Sequence, residues 1–243
     1  MQAAIKTRPG VSFYERLKKA SKMFMRHPLS MRQFVMVIAF ALTCTAASAQ
    51  NAYIANYISD TVSVIDTATN KVTTTVVVGD GPYSVAVSPY GSKVYVANYS
   101  GKSISVIDTA TNKVSATVTG VYYPFCIAVS PDSSKVYVTN IDNRTVSVID
   151  TATNKVSATV TVGDSPKGVA VSPDSSKVYV ANFGSNTVSV INTATNAVIA
   201  TVGVGTWPAG VSVSPDNSKV YVTNAADKTV SVINTATNTV TAT

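Results

Sequence analysis

Tyr95-Val96-Ala97-Asn98, Tyr137-Val138-Thr139-Asn140 and Tyr179-Val180-Ala181-Asn182 are one motif repeated at a fixed step of 42 residues. Tyr53-Ile54-Ala55-Asn56 begins the series and Tyr221-Val222-Thr223-Asn224 ends it. A second motif keeps the same step: Ile65-Asp66-Thr67-Ala68-Thr69-Asn70 recurs from Ile107, Ile149, Ile191 and Ile233. A third, Val-Ser-Pro, ends at Pro89, Pro131, Pro173 and Pro215. No insertion or deletion breaks the phase. A period of about 40 to 50 residues made of short strands indicates a propeller or a related array.

One unit reads as four strands. Residues 168–172 alternate apolar and small, and Pro173-Asp174-Ser175-Ser176 turns the chain. Residues 177–182 form a second strand, 187–191 a third and 197–204 a fourth, separated by the loop 183–186 and the tight turn 192–196. β-branched residues, a period of two and regular turn signals make the chain all-β. Pro presets φ for a turn, and the Asp after it bonds nearby backbone. In Asp-Thr-Ala-Thr-Asn the Asp makes an Asx-turn and the final Asn accepts a left-handed backbone. Asp66, Asp108 and Asp150 become Asn192 and Asn234 in later copies, which keeps turn chemistry and discards charge, so these positions are structural. In a propeller each sheet packs between two others, so the Tyr53, Tyr95, Tyr137, Tyr179 and Tyr221 column is expected in the core between blades.

The formal charge of +7 is unevenly placed. Residues 1–49 carry eight Lys and Arg against Glu15, whereas residues 50–243 carry eleven basic side chains and eleven Asp. The repeat region therefore lacks the electrostatic footprint of a nucleic-acid binder. Residues 1–49 read as a leader and signal peptide. Arg32 precedes the apolar run 34–42, and Ala47-Ser48-Ala49 forms the cleavage site before Gln50. The run is too short for a comfortable membrane span, so no transmembrane segment is expected after cleavage. Export to the periplasm, the cell surface or the exterior follows. Past the leader one cysteine remains, Cys126, in an apolar strand and expected as a small buried hydrophobe.

These residues resemble the YVTN-family β-propeller repeat, found in archaeal surface-layer proteins and many exported bacterial proteins. The resemblance covers residues 51–243. It implies blades with the Val-Ala-Val-Ser-Pro strand innermost (a), then Tyr-Val-Thr-Asn (b), Thr-Val-Ser-Val-Ile (c) and Lys-Val-x-x-Thr (d). The usual family turn Pro-Asp-Gly is here Pro-Asp-Ser or Pro-Asp-Asn, with Pro89-Tyr90-Gly91 once. Residues 50–243 then hold about five blades. The first begins at strand b and lacks its inner strand, so the ring is expected to be incomplete or open. Relatives commonly have seven blades. The expectations are a truncated product of a larger propeller, an open arc, or a homo-oligomer formed through incomplete blade edges.

The a–b and c–d turns barely change between copies, while the b–c and d–a loops change a great deal. Propeller geometry opens both variable sets on one face. The aromatics there, Tyr57, Tyr83, Tyr99, Tyr122, Tyr123, Phe125, Phe183 and Trp207, together with Lys167, are the candidate binding residues. Rings on the loops of a rigid scaffold suit peptides, glycans or partner proteins. The plainer reading is drift on an unconstrained face. Catalysis is disfavoured because the sole His, His27, and the sole Glu, Glu15, lie in the leader. No imidazole remains for a hydrolytic triad, a haem or copper. No catalytic residue and no cofactor is expected. The alternative is a lactonase-like or other hydrolytic propeller with a channel metal on Asp80 and Asp164; turn-shaping carboxylates are the competing account of those two residues.

Overall fold

The computed structural model describes residues 3–5 and 51–243; the expected leader and cleavage site otherwise lie outside the described residues. Five antiparallel four-stranded sheets follow one another along the chain. The first holds β1 (Ala3–Ile5), β2 (Asn51–Asn56), β3 (Thr61–Asp66) and β4 (Lys71–Val77). The second holds β5 (Pro82–Val87), β6 (Lys93–Asn98), β7 (Ser103–Asp108) and β8 (Lys113–Val118). The third runs from β9 (Pro124–Val129) through β10 (Lys135–Asn140) and β11 (Thr145–Asp150) to β12 (Lys155–Thr161). β13 (Pro166–Val171), β14 (Lys177–Asn182), β15 (Thr187–Asn192) and β16 (Ala197–Gly203) make the fourth. The fifth is β17 (Pro208–Val213), β18 (Lys219–Asn224), β19 (Thr229–Asn234) and β20 (Thr239–Ala242). Each sheet is a blade with its strands in chain order from a to d. From residue 50 onward the first blade has only strands b, c and d. Its inner position is taken by β1, from the expected leader, with Ala4 opposite Tyr53.

The repeated motifs have separate structural duties. The Asp of the c–d turn makes the expected Asx-turn: Asp66 Oδ1 accepts from the backbone N–H of Ala68 and Thr69 at 2.8 and 2.9 Å. Asn192 Oδ1 does the same for Ala194 and Thr195 at 3.0 Å, so the loss of charge changes nothing. Asn70, Asn112, Asn154, Asn196 and Asn238 hold φ between 52° and 54°, a left-handed backbone that Asn tolerates. The Asn that closes strand b has a duty that spacing did not reveal. Asn182 is fully buried, and its Nδ2 donates to Thr187 Oγ1 at 3.0 Å and Ser189 Oγ at 2.9 Å. Asn98, Asn140 and Asn224 bond their own strand c in the same way. The motif thus ends in a side-chain clasp between strands b and c.

Blades stack through one repeated contact. Tyr137, Val146 and Val148 of blade three meet Val178, Val180 and Ile191 of blade four. Tyr179, Val188 and Val190 of blade four meet Val220, Val222 and Ile233 of blade five. Each blade therefore has a Tyr face and a Val/Ile face, and burying each such side chain contributes about 1.5 to 3 kcal/mol. Tyr53, Tyr95, Tyr137 and Tyr179 are 0–1 % exposed, as a core column should be. Tyr221 departs from that expectation at 41 % exposed. Among the described residues no further blade covers it, and strand β18 alternates exposed and buried where β14 is buried from Val178 to Asn182. Cys126 also departs from expectation. It lies on the inner strand β9 and is half-buried, packed against the core shared by blades three and four.

Candidate functional site

The b–c and d–a loops lie on one face, tied to each other by backbone bonds. Tyr99 N–H donates to Gly81 O at 2.9 Å, Phe183 N–H to Ser165 O at 3.1 Å and Ala225 N–H to Trp207 O at 3.0 Å. Side chains add to the tie: Asp60 Oδ1 accepts from Gly81 N–H at 2.8 Å, and Asn186 Oδ1 from Trp207 N–H at 2.9 Å. The opposite face carries the near-invariant turns, with Thr193 Oγ1 donating to Ser175 O at 2.7 Å as one example.

The structure joins eight of the nine candidate residues into one row. Tyr57 and Tyr83 meet edge-on with centroids 6.3 Å apart. Tyr83 also touches Tyr99 at 6.2 Å and Phe125 at 4.4 Å. Tyr99 reaches Tyr123 at 5.4 Å. Lys167 links the two halves, its Nζ 6.0 Å from the Phe125 ring centroid and 3.3 Å from that of Phe183. Phe183 then stacks on Trp207 at 5.5 Å with planes 19° apart. Such pairs contribute about 0.5 to 1.5 kcal/mol each beyond area burial. A cation over a ring face adds electrostatic attraction. Burial between the rings pushes the Lys167 ammonium below its usual pKa. Tyr122, the ninth, is exposed and touches no ring among the described residues.

Two of the rings sit on strained backbone. Tyr123 has φ 46° and Trp207 φ 58°, where Gly81 and Ser165 stand in the equivalent loops. A bulky residue there is an outlier, and such outliers cluster at functional sites. The Tyr122–Tyr123 loop departs further. Its neighbours place Gly79, Gly163 and Gly205 so close to the clasp Asn that an added Cβ would fall 2.6 to 2.7 Å from that side chain. Here Val121 takes the position, buried, while Gly120 adopts φ 83° and Tyr122 N–H donates to Asn140 Oδ1 at 3.2 Å.

Sequence reasoning missed two members of this face. Ile58 is 95 % exposed at the tip of the first b–c loop. Its signal was an apolar side chain between Tyr57 and Ser59 in a turn. Lys102 places Nζ 4.5 Å from the Tyr123 ring centroid, a contact across two loops that no local spacing shows. Of the two carboxylates considered for a metal, Asp164 is ion-paired with Arg144 Nε at 2.9 Å. Among the described residues no three His, Cys, Asp or Glu gather where they could hold a metal ion.

Residues 31–139 match the family described as YNCE-like beta-propeller. Residues 107–203 match the family described as lactonase, 7-bladed beta-propeller. The chain is a β-propeller protein. Among solved structures it is similar to the hydrazine synthase of Kuenenia stuttgartiensis, with 30 % identity and a TM-score of 0.64. That similarity covers 66 % of this chain and 48 % of the synthase chain, so this propeller spans about half the synthase's length. A functionally unknown protein from Desulfotomaculum acetoxidans DSM 771 is 21 % identical with a TM-score of 0.69. There 79 % of this chain and 65 % of the other are covered. No curated protein matches. Since 1430 solved chains match, the architecture is common and does not by itself select an activity.

Proposed function

We propose that this propeller is an exported, non-catalytic binding module of the periplasm or cell surface, of the YVTN-repeat kind, which recognises a peptide, glycan or protein through its aromatic loop face. The continuous row from Tyr57 to Trp207 carries the reading. Stacked rings on a rigid scaffold offer a large contact area at little entropic cost, the composition of binding hot spots. The backbone at Tyr123 and Trp207 supports it, because each copy of this loop places a left-handed residue there and two of the four carry a bulky ring in place of Gly81 or Ser165. The near balance of charge in residues 50–243 supports a partner other than nucleic acid.

Trp207 is the sole Trp of the chain, so its emission reports this face alone. A panel of oligosaccharides and peptides titrated against the protein should yield ligands that shift Trp207 emission. Their affinity should fall roughly tenfold or more in Tyr123→Ala or Phe183→Ala, the usual loss at an aromatic hot spot. A ligand bound with unchanged emission and unchanged affinity in both variants would place recognition elsewhere. A second reading, hydrolysis of a lactone-like ester, is favoured by the family match over residues 107–203. It requires Asp164 to leave Arg144, and calorimetry with Ca²⁺, Mg²⁺ and Mn²⁺ decides it: no heat removes the metal-dependent form.

A further inference from the structure

Lys102 and Lys167 stand in the ring row without a carboxylate partner among the described residues. Lys167 Nζ lies 3.3 Å from the Phe183 ring centroid and 6.0 Å from that of Phe125. Burial lowers its pKa, and no neighbouring carboxylate pulls it back up. The equivalent residues of the two preceding blades are Tyr83 and Phe125, so an ammonium here takes the place of a ring. Lys102 Nζ lies over the Tyr123 ring at 4.5 Å. Arg144, on the same face, shows the contrast: its Nε is paired with Asp164 at 2.9 Å.

A ring face carries negative charge density, so it holds an ammonium and repels an anion. An anionic group therefore enters this row at Lys102 or Lys167. A partly desolvated charge without a counter-ion costs free energy, which such a group would offset. The carboxylates of the same loops are of two kinds. Asp60 and Asp227 accept backbone N–H groups at 2.8 and 2.6 Å. Asp80 and Asp142 hold no hydrogen bond or ion pair through their side chains among the described residues, which leaves their oxygens open to hydroxyl donors.

We propose that the ligand of this face is an acidic polysaccharide, a chain of uronate sugars whose carboxylates meet Lys102 and Lys167 and whose flat C–H faces lie on the rings. The inference rests on the loop face being a binding surface and adds the chemical class of its ligand. A chair pyranose presents an apolar face of axial hydrogens, which matches the half-exposed rings of Tyr57 and Trp207. Its hydroxyls donate to Asp80 and Asp142. A polyuronate carries a ring and a carboxylate at every residue, as the row carries rings and ammonium groups along one arc. A peptide fits less well, because peptides bind by adding a strand to an open edge or by filling pockets with side chains. Here the loop backbone is already tied, Tyr99 N–H to Gly81 O and Phe183 N–H to Ser165 O.

Calorimetry and Trp207 emission with hexagalacturonate and with its methyl ester test the proposal, because the ester keeps the sugar rings and removes the charge. The acid should bind roughly tenfold tighter than the ester at low salt, the factor expected of a charge-assisted contact. That preference should shrink as salt rises. Lys167→Met keeps the apolar stem and removes the ammonium; circular dichroism checks that it folds, and Lys102→Met is the second variant. In each, the acid-to-ester ratio of affinities should fall severalfold toward equality. A merely structural role for the lysines would weaken both ligands alike and leave the ratio unchanged, which would overturn the inference. Wild-type protein that binds acid and ester equally, or fails to bind hexagalacturonate, would overturn it too, as would tighter binding of hexaglutamate, the mark of an acidic peptide ligand. In those cases a neutral oligosaccharide that still shifts Trp207 emission would leave the binding face standing without its charge selectivity. Hexagalacturonate bound with unchanged Trp207 emission, and equally well in Tyr123→Ala, would overturn the loop-face reading and this inference together.

Discussion

Replacing Tyr179 by Phe should stabilise this protein, although the residue is among the most buried in it. The ring fills the contact between blades four and five, while its hydroxyl is buried and meets no hydrogen-bond partner. A buried polar group without a partner costs about 1 to 3 kcal/mol. Phe keeps the ring and removes that cost, less a small packing loss where the oxygen was, for a net gain of about 1 kcal/mol. In a chain of this size that raises Tm by about 2 to 4 °C. The gain should grow with pH. Burial pushes the Tyr179 phenol up to about 12, with Asp174 adding a smaller push, against about 10 in the unfolded chain. Above pH 10 the unfolded chain loses a proton that the folded chain keeps. Ionisation of Tyr179 therefore costs the fold nothing below pH 10, and stability falls as pH rises from 10 to 12, at about 1.4 kcal/mol per unit. By pH 11 the variant should lead by about 2 to 3 kcal/mol. Tyr137→Phe should behave alike and additively, since it lies in a different interface, lacks a partner and is also pushed up to about 12. Urea unfolding followed by circular dichroism at pH 7 and pH 11 measures both terms. A loss of 1 kcal/mol or more at pH 7 would refute the reasoning, for it would mean that the hydroxyl makes a bond worth keeping. A gap that fails to widen at pH 11 would refute the burial argument.

Two further outcomes follow from the repeat. Asn182→Ala removes both bonds of a buried clasp and should cost about 2 to 3 kcal/mol, whereas Asn56→Ala, in the half-buried first blade, should cost less; equal shifts in urea midpoint would count against burial as the cause. Ser175 sits at φ 60°, where its counterpart Gly91 has φ 67°. Ser175→Gly should then gain about 0.5 kcal/mol, the relief of left-handed strain less the extra freedom of an unfolded Gly, and Gly91→Ala should lose about 1 kcal/mol. Thermal midpoints moving in the opposite directions would show that these turns are not held by φ.

The fold was readable because turns and core repeat at the same step. The Asx-turns at Asp66 and Asn192, the left-handed Asn70 series and the Tyr core column all follow from local chemistry seen five times over. Three things were not readable. The Asn clasp joins residues on adjacent strands, and a motif repeated as a block hides which of its members bond across. The strand Ala3–Ile5 completes blade one from a segment that reads as a leader, and three apolar residues carry no strand signal of their own. Tyr221 looks identical to its four counterparts, and only the missing neighbour distinguishes it. At the loop face, membership was legible from aromatic content, but connectivity was not. That Lys167 bridges Phe125 to Phe183 depends on residues 42 and 16 positions away in the chain, brought together by the stacking of blades.

The two faces also differ in what their hydrogen bonds require, and this bears on the meaning of the rings. Turn-face bonds use particular side chains: a carboxylate or amide oxygen at Asp150 or Asn192, a hydroxyl at Ser172 bonding Asp174, a Thr193 hydroxyl reaching Ser175. A change there leaves a donor or acceptor without its partner, so the copies stay alike. Loop-face ties run mostly from backbone to backbone, as between Tyr99 and Gly81 or Phe183 and Ser165, and any side chain permits them. Structure alone therefore lets the loop side chains vary, and it explains why they differ. Ring contacts add some stability, but that does not explain why two of those rings occupy left-handed backbone that Gly or Ser fills in the neighbouring loops. Free variation would scatter polar side chains over a solvent-facing surface, since exposed rings gain nothing from water. A joined row of rings held against local strain is the arrangement that contact with a partner would reward.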